Sequence, residues 1–148
     1  MAELRLITPH RTVVCAKNLK QDSDDWGVAE YTGKVSEGMN LAAAARMPSA
    51  MRADRDRVND LLAHLGTLEA KAFLDGAKVS DPKFGLAHPE LKIIAMDKAG
   101  KTLASVFLGR RAGDRIYATG PHLGGVFLML AGDIERFRAS SRDLAARS

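Results

Sequence analysis

At 148 residues, 46% hydrophobic and 27% charged, the chain is long enough to bury a real core and too apolar to be disordered throughout. Its 22 basic residues exceed its 18 acidic ones only slightly, and the two signs interleave, as in Arg52-Ala53-Asp54-Arg55-Asp56-Arg57. No aromatic residues are interspersed with those arginines, which argues against a nucleic-acid partner.

The first segment, Leu4-Arg5-Leu6, alternates like a strand and ends at the Thr8-Pro9-His10 turn. Thr12 to Ala16 is a β-branched run and predicts the next strand. The polar stretch Asn18 to Asp25 leads to a half-buried strand from Trp26 to Tyr31, with Trp26, Val28 and Glu30 on one face. Gly33 to Gly38 is a loop. Leu41 to Arg46 has the alanines of a helix but meets Pro48, and is read as extended or irregular.

Asp54 is placed to cap a helix by accepting from first-turn N–H groups. Val58, Leu61, Leu62, Leu65 and Leu68 then recur at spacings of three and four, which makes one apolar stripe. A short strand is expected within Leu68 to Leu74. Leu91 to Met96 and Thr102 to Leu108 form a hairpin around Asp97-Lys98-Ala99-Gly100. Gly109 to Asp114 reads as a polar turn, and Arg115 to Thr119 as the next strand. Gly120 to Gly125 turns again into Val126 to Leu130, an apolar run expected to be covered on both faces. Asp133 is expected to cap a second short helix with Ile134 and Phe137 inward and Leu144 near the end. The fold class expected is α+β: a mainly antiparallel sheet, one amphipathic helix before the main strand succession and one short helix after it. Residues 1–148 are read as a single domain, with strands and loops over 1–52 whose topology is left open.

The chemistry-bearing residues make no constellation. His10, His64, His88 and His122 have no ligand spacing, so no metal site is expected. Asp22, Asp24 and Asp25 resemble part of a calcium loop but lack its closing acid, and a polar turn is the better reading. The glycines of Gly120 to Gly125 precede a strand rather than a helix, unlike a phosphate-binding loop. No cofactor is expected. Cys15, the single cysteine, lies in an apolar run and reads as a core residue; alone it excludes an intramolecular disulfide. No apolar run approaches the ~18 residues of a membrane-crossing helix, and Met1 to Arg5 lacks the design of a signal peptide. The chain itself is expected to make no membrane contact, and it could be an excised portion of a longer anchored protein. The least balanced charge is Arg110, Arg111 and Arg115 around Asp114, a candidate protein-contact surface.

Several segments occur in the order of a known family. They are Ala53-Asp54, then Val58, Leu61, Leu62 and Leu65, then Phe84-Gly85-Leu86-Ala87-His88-Pro89. Leu91-Lys92-Ile93, Gly100, Leu103, Leu108-Gly109, Ile116-Tyr117-Ala118, Val126-Phe127-Leu128 and Ser141-Arg142-Asp143-Leu144 follow. Over about residues 53–144 the chain resembles the bacterial domain-of-unknown-function family numbered 4340. The resemblance implies a place on the extracytoplasmic face of a bacterial membrane, beside gliding-motility or ABC-transporter auxiliary components. It supplies no catalytic residues. Phe84, Gly85, Leu86 and Pro89 are read as a structural junction. The function expected is a non-enzymatic binding or scaffold domain whose partners are other proteins of a membrane-associated assembly. The alternative is a small-ligand-binding domain or an enzyme whose pocket no motif encodes.

Overall fold

The computed structural model describes residues 2–17, 26–32, 51–67, 72–74, 76–78, 80–97, 99, 101–120, 125–138 and 144. The strands in chain order are β1 (Glu3–Ile7), β2 (Arg11–Lys17), β3 (Trp26–Thr32) and β4 (Met51–Arg52). Helix α1 (Arg55–Thr67), strand β5 (Ala72–Leu74) and the 3-10 turn η1 (Pro82–Phe84) come next. They are followed by β6 (Leu91–Met96), β7 (Thr102–Ala112), β8 (Arg115–Thr119) and β9 (Val126–Leu130), then α2 (Ala131–Ile134) and η2 (Glu135–Phe137).

Among the described residues the strands form one nine-stranded sheet in the order β4-β3-β2-β1-β6-β7-β8-β9-β5. Every neighbouring pair is antiparallel. Two meanders run outward from the middle, where β1 pairs with β6 from Glu3↔Met96 to Ile7↔Lys92. Short connections link β1 to β2, β6 to β7 and β7 to β8, as adjacent antiparallel strands allow, whereas residues 33–50 separate β3 from β4. β5 is the exception, since the chain passes through α1 before β5 pairs with β9 at the far edge.

Alternation along the strands sends one set of side chains to a common core. Leu4 and Leu6 of β1, Ile93 of β6 and Met129 of β9 lie in it with Val58, Leu61 and Leu65 of α1. Phe137 and Leu144 join the same cluster, so both helical segments pack on this face. Three of the expected stripe residues are buried, while Leu62 is half-buried at the rim; Leu68 lies outside the described residues. The cap on α1 forms: Asp54 Oδ1 accepts from the N–H groups of Asp56 at 3.0 Å and Arg57 at 3.4 Å. On the opposite face, Val14 and Ala16 pack with Ala29 and Tyr31 near one side of the sheet. Phe84, Leu86 and Val126 pack with Leu74, Ala77 and Tyr117 near the other.

Three local expectations are corrected. Asp133 does not cap the last helix: α2 begins at Ala131, with Leu130 in the N-cap position and no side-chain cap. The Ala131 N–H instead donates to the Asp114 carbonyl at 2.9 Å, so β9 runs directly into the helix. The turn expected over Gly109 to Asp114 shrinks to Gly113 and Asp114, because Ala112 already pairs with Arg115 and Gly113 takes φ 67°. Glu30, expected on the face of Trp26 and Val28, is exposed where those two are buried, so the burial of that face stops at Val28. The expectations for Asn18 to Asp25, Gly33 to Gly38, Leu41 to Arg46 and Ser141 to Asp143 lie outside the described residues.

Candidate functional site

The junction at Phe84, Gly85, Leu86 and Pro89 is built from its own backbone chemistry. Asp81 caps η1 by accepting from the Lys83 N–H at 3.1 Å, and Pro82 supplies a preset φ at the first position. Gly85 ends the turn at φ 68°, a left-handed conformation that an L side chain resists. Its N–H donates to the Pro82 carbonyl at 3.2 Å. Phe84 and Leu86 are thereby turned into the sheet and are buried, and the Phe84 ring meets Tyr117 edge-on with centroids 4.9 Å apart. The backbone here lies on Gly109 of β7 so closely that a Cβ at Gly109 would sit 2.1 Å from the Phe84 carbonyl oxygen. Pro89 is half-buried just before β6, and the next N–H, from Glu90, donates to the Leu108 carbonyl at 2.8 Å.

Arg110, Arg111 and Arg115 are not gathered on one turn. Arg110 and Arg111 belong to β7, where the pairing with β8 is irregular between Leu108 and Arg111: Arg110 lies in the irregularity and Arg111 resumes the ladder opposite Ile116. Arg111 donates from Nε to the Gly113 carbonyl at 2.8 Å and stands 3.9 Å from the Glu135 carboxylate. Arg110 lies along Gly85. Arg115 is half-buried in β8, opposite Leu130 of β9 and alternating with the buried Ile116. The hairpin therefore spreads its cations.

An edge of the sheet carries a feature that sequence reading missed. β5 is the last strand in the order, and among the described residues no strand pairs with its outer side. Its central residue, Phe73, is 65% exposed and touches the Phe127 ring at 5.8 Å between centroids. Edge strands are commonly protected by charge, proline or a bulge, whereas this one presents an aromatic ring. The opposite edge, β4, exposes Met51. Reading Phe73 as the odd member of the Ala72-Phe73-Leu74 alternation would have been the available signal.

The remaining reactive groups sit apart. Cys15 is buried, and burial pushes its thiol up to about 12, far from nucleophilic thiolate. His64 donates from Nε2 to the Asp133 carbonyl at 2.8 Å and stacks on Phe137, which ties α1 to α2. His10 and His88 are exposed; His122 lies outside the described residues. Among the described residues no three metal-ligating side chains converge, and no helix is long and apolar enough to cross a membrane.

Among curated proteins and among solved structures, nothing matches this chain significantly. A family model does match, over residues 46–147, which takes in α1, η1 and every strand from β4 to β9. The match covers well over half of the chain, and the protein belongs to the family described as a domain of unknown function, DUF4340.

Proposed function

We propose that this is a non-enzymatic binding or scaffold domain of the α+β class, working in an envelope- or transporter-associated bacterial assembly. Its contact is an extended segment of a partner protein laid along β5. The observation that carries this reading is Phe73, whose ring stands 65% exposed on a strand at the end of the sheet order. An added strand would hydrogen-bond to the β5 backbone, while an apolar side chain of the partner covered Phe73. Large aromatic rings supply much of the binding energy at such contacts, because they bury area while ordering few torsions. The family resemblance supports an extracytoplasmic setting.

The test is a photo-crosslinking residue placed at Phe73, and separately at Arg110, in the full-length protein in its native host. A discrete adduct from position 73, with none from position 110, is the expected result. An adduct from position 110 alone would make the β7–β8 hairpin the contact surface. Arg110→Ser, Arg111→Ser and Arg115→Ser combined would then abolish it, and the β5 reading would fail.

A further inference from the structure

On the face of the sheet opposite the helices, an open cleft of about 830 Å³ borders β5. Leu74 forms one of its walls, on the face opposite Phe73 because successive strand residues alternate. The chain turns sharply as it leaves β5: the Ala77 N–H donates to the Leu74 carbonyl at 3.3 Å, and Gly76 takes φ 73°. Ala77 and Tyr117 add to the apolar walls. Phe84 is buried, but Leu74, Ala77 and Tyr117 are only half-buried and keep apolar surface open to the cleft. Lys78 and Lys83 line it too, and both are exposed. Two contacts fix the direction of Lys83, whose Nζ stands 3.9 Å from Asp81 Oδ2 and 5.0 Å from the centre of the Phe84 ring. The other oxygen of Asp81 is committed to the Lys83 N–H. Among the described lining residues two ammonium groups thus stand against one carboxylate, which at this distance and exposure holds Lys83 weakly.

We propose that this cleft receives a glutamate side chain of the segment added along β5, from the residue next to the one that covers Phe73. The proposal rests on the strand-addition reading and names the chemistry by which β5 chooses its partner. Residues directly opposite on paired strands have Cβ atoms ~4.5–5.5 Å apart on the same face. The residue opposite Leu74 therefore points to the cleft side, while its neighbour in the segment faces Phe73. In such additions the main chain supplies affinity and pockets for alternate side chains supply specificity. A glutamate in the cleft lays its two methylene groups on Leu74, Ala77 and Tyr117 and carries its carboxylate to Lys83 and Lys78. Aspartate is too short to do both, a purely apolar side chain matches the walls alone, and a basic one is repelled.

Selection of phage-displayed random dodecapeptides on the intact protein at physiological salt tests it. The enriched segments should carry Glu directly beside an aromatic or aliphatic residue, and Phe73→Lys, at an exposed position, should abolish their capture. Lys78→Glu combined with Lys83→Glu should invert the choice to Lys or Arg at the same place. Both lysines are exposed, so the variant keeps the fold. In anisotropy titrations with a synthetic peptide of the most enriched segment, Glu→Gln in the peptide should weaken binding about fivefold. Segments that depend on Phe73 but carry no acid beside the apolar residue would sink the cleft proposal and leave strand addition standing. So would selection of the same segments by the charge-reversed protein. If no enriched segment depends on Phe73, both readings fail; acidic segments captured regardless of Phe73 report only the net charge of +4 and count as that failure.

Discussion

Replacing Gly109 with Ala adds one methyl group where the structure has least room. The new Cβ would lie 2.1 Å from the Phe84 carbonyl oxygen and 3.0 Å from both the Gly85 carbonyl carbon and Leu86 Cδ2. Two of these are backbone atoms of a turn pinned by Asp81, Pro82 and Gly85, so no side-chain rotation relieves the overlap. To restore ordinary contact the turn must lift by more than about 1 Å, which draws Phe84 and Leu86 out of their packing against Val126 and Tyr117. Overpacking alone typically costs ~1–3 kcal/mol, and partial loss of two buried side chains brings the expectation to about 2–4 kcal/mol. For a chain of this size that is a Tm fall of roughly 5–15 °C. Denaturant unfolding with an unchanged m-value, supported by hydrogen exchange across residues 80–90, measures it. Gly132→Ala is the control, because its Cβ meets nothing within 4 Å in a helix where Ala is favoured over Gly. A Gly109→Ala protein within about 0.5 kcal/mol of wild type would refute the close-approach argument.

Leu61→Ala, on the buried stripe of α1, should lower stability by ~2–5 kcal/mol in chemical unfolding, and Leu62→Ala by less because Leu62 is only half-buried. Asp54→Ala should cost about 1 kcal/mol by removing the two cap hydrogen bonds, while Asp54→Asn retains most of the stability. Cys15 should resist thiol reagents until the protein unfolds. Its folded value of about 12 exceeds the unfolded 9.0, so its contribution is complete below pH 9 and is lost as pH rises from 9 towards 12. The slope there is up to about 1.4 kcal/mol per pH unit, and Cys15→Ala should remove that slope from an alkaline stability curve.

Alternation and turn residues made most of the sheet legible: β1, β2, β3, β6, β8 and β9 fall close to where their patterns predict them. The places that were not legible have physical causes. β4 is two residues long, too short for any periodicity to register. β7 continues through Gly109-Arg110-Arg111 because that glycine serves a close approach to η1, although glycine beside two arginines has the composition of a turn. α2 starts early because the Asp114 carbonyl supplies the hydrogen bond that a capping side chain would otherwise make, and Asp114 is distant in sequence. Phe73 was hidden differently, since exposure of one member of an apolar triplet depends on which strand has no outer neighbour.

The pairing of β1 with β6 has a consequence for any fragment cut at the limits of the family match. The match begins at residue 46, after β1, β2 and β3, so a fragment starting there keeps β6 and loses the strand that flanks it. β6 would then present the backbone of Leu91–Met96, carrying the single charge of Lys92, as a bare hydrogen-bonding template. Such a template recruits whatever extended chain is nearest, and in a concentrated preparation that is another copy of the fragment. A fragment from residue 46 should therefore self-associate or exchange strands, and adding residues 1–45 as a separate peptide should return it to a monodisperse state. The boundary of the family match thus falls across a ladder of backbone hydrogen bonds, between β1 and β6.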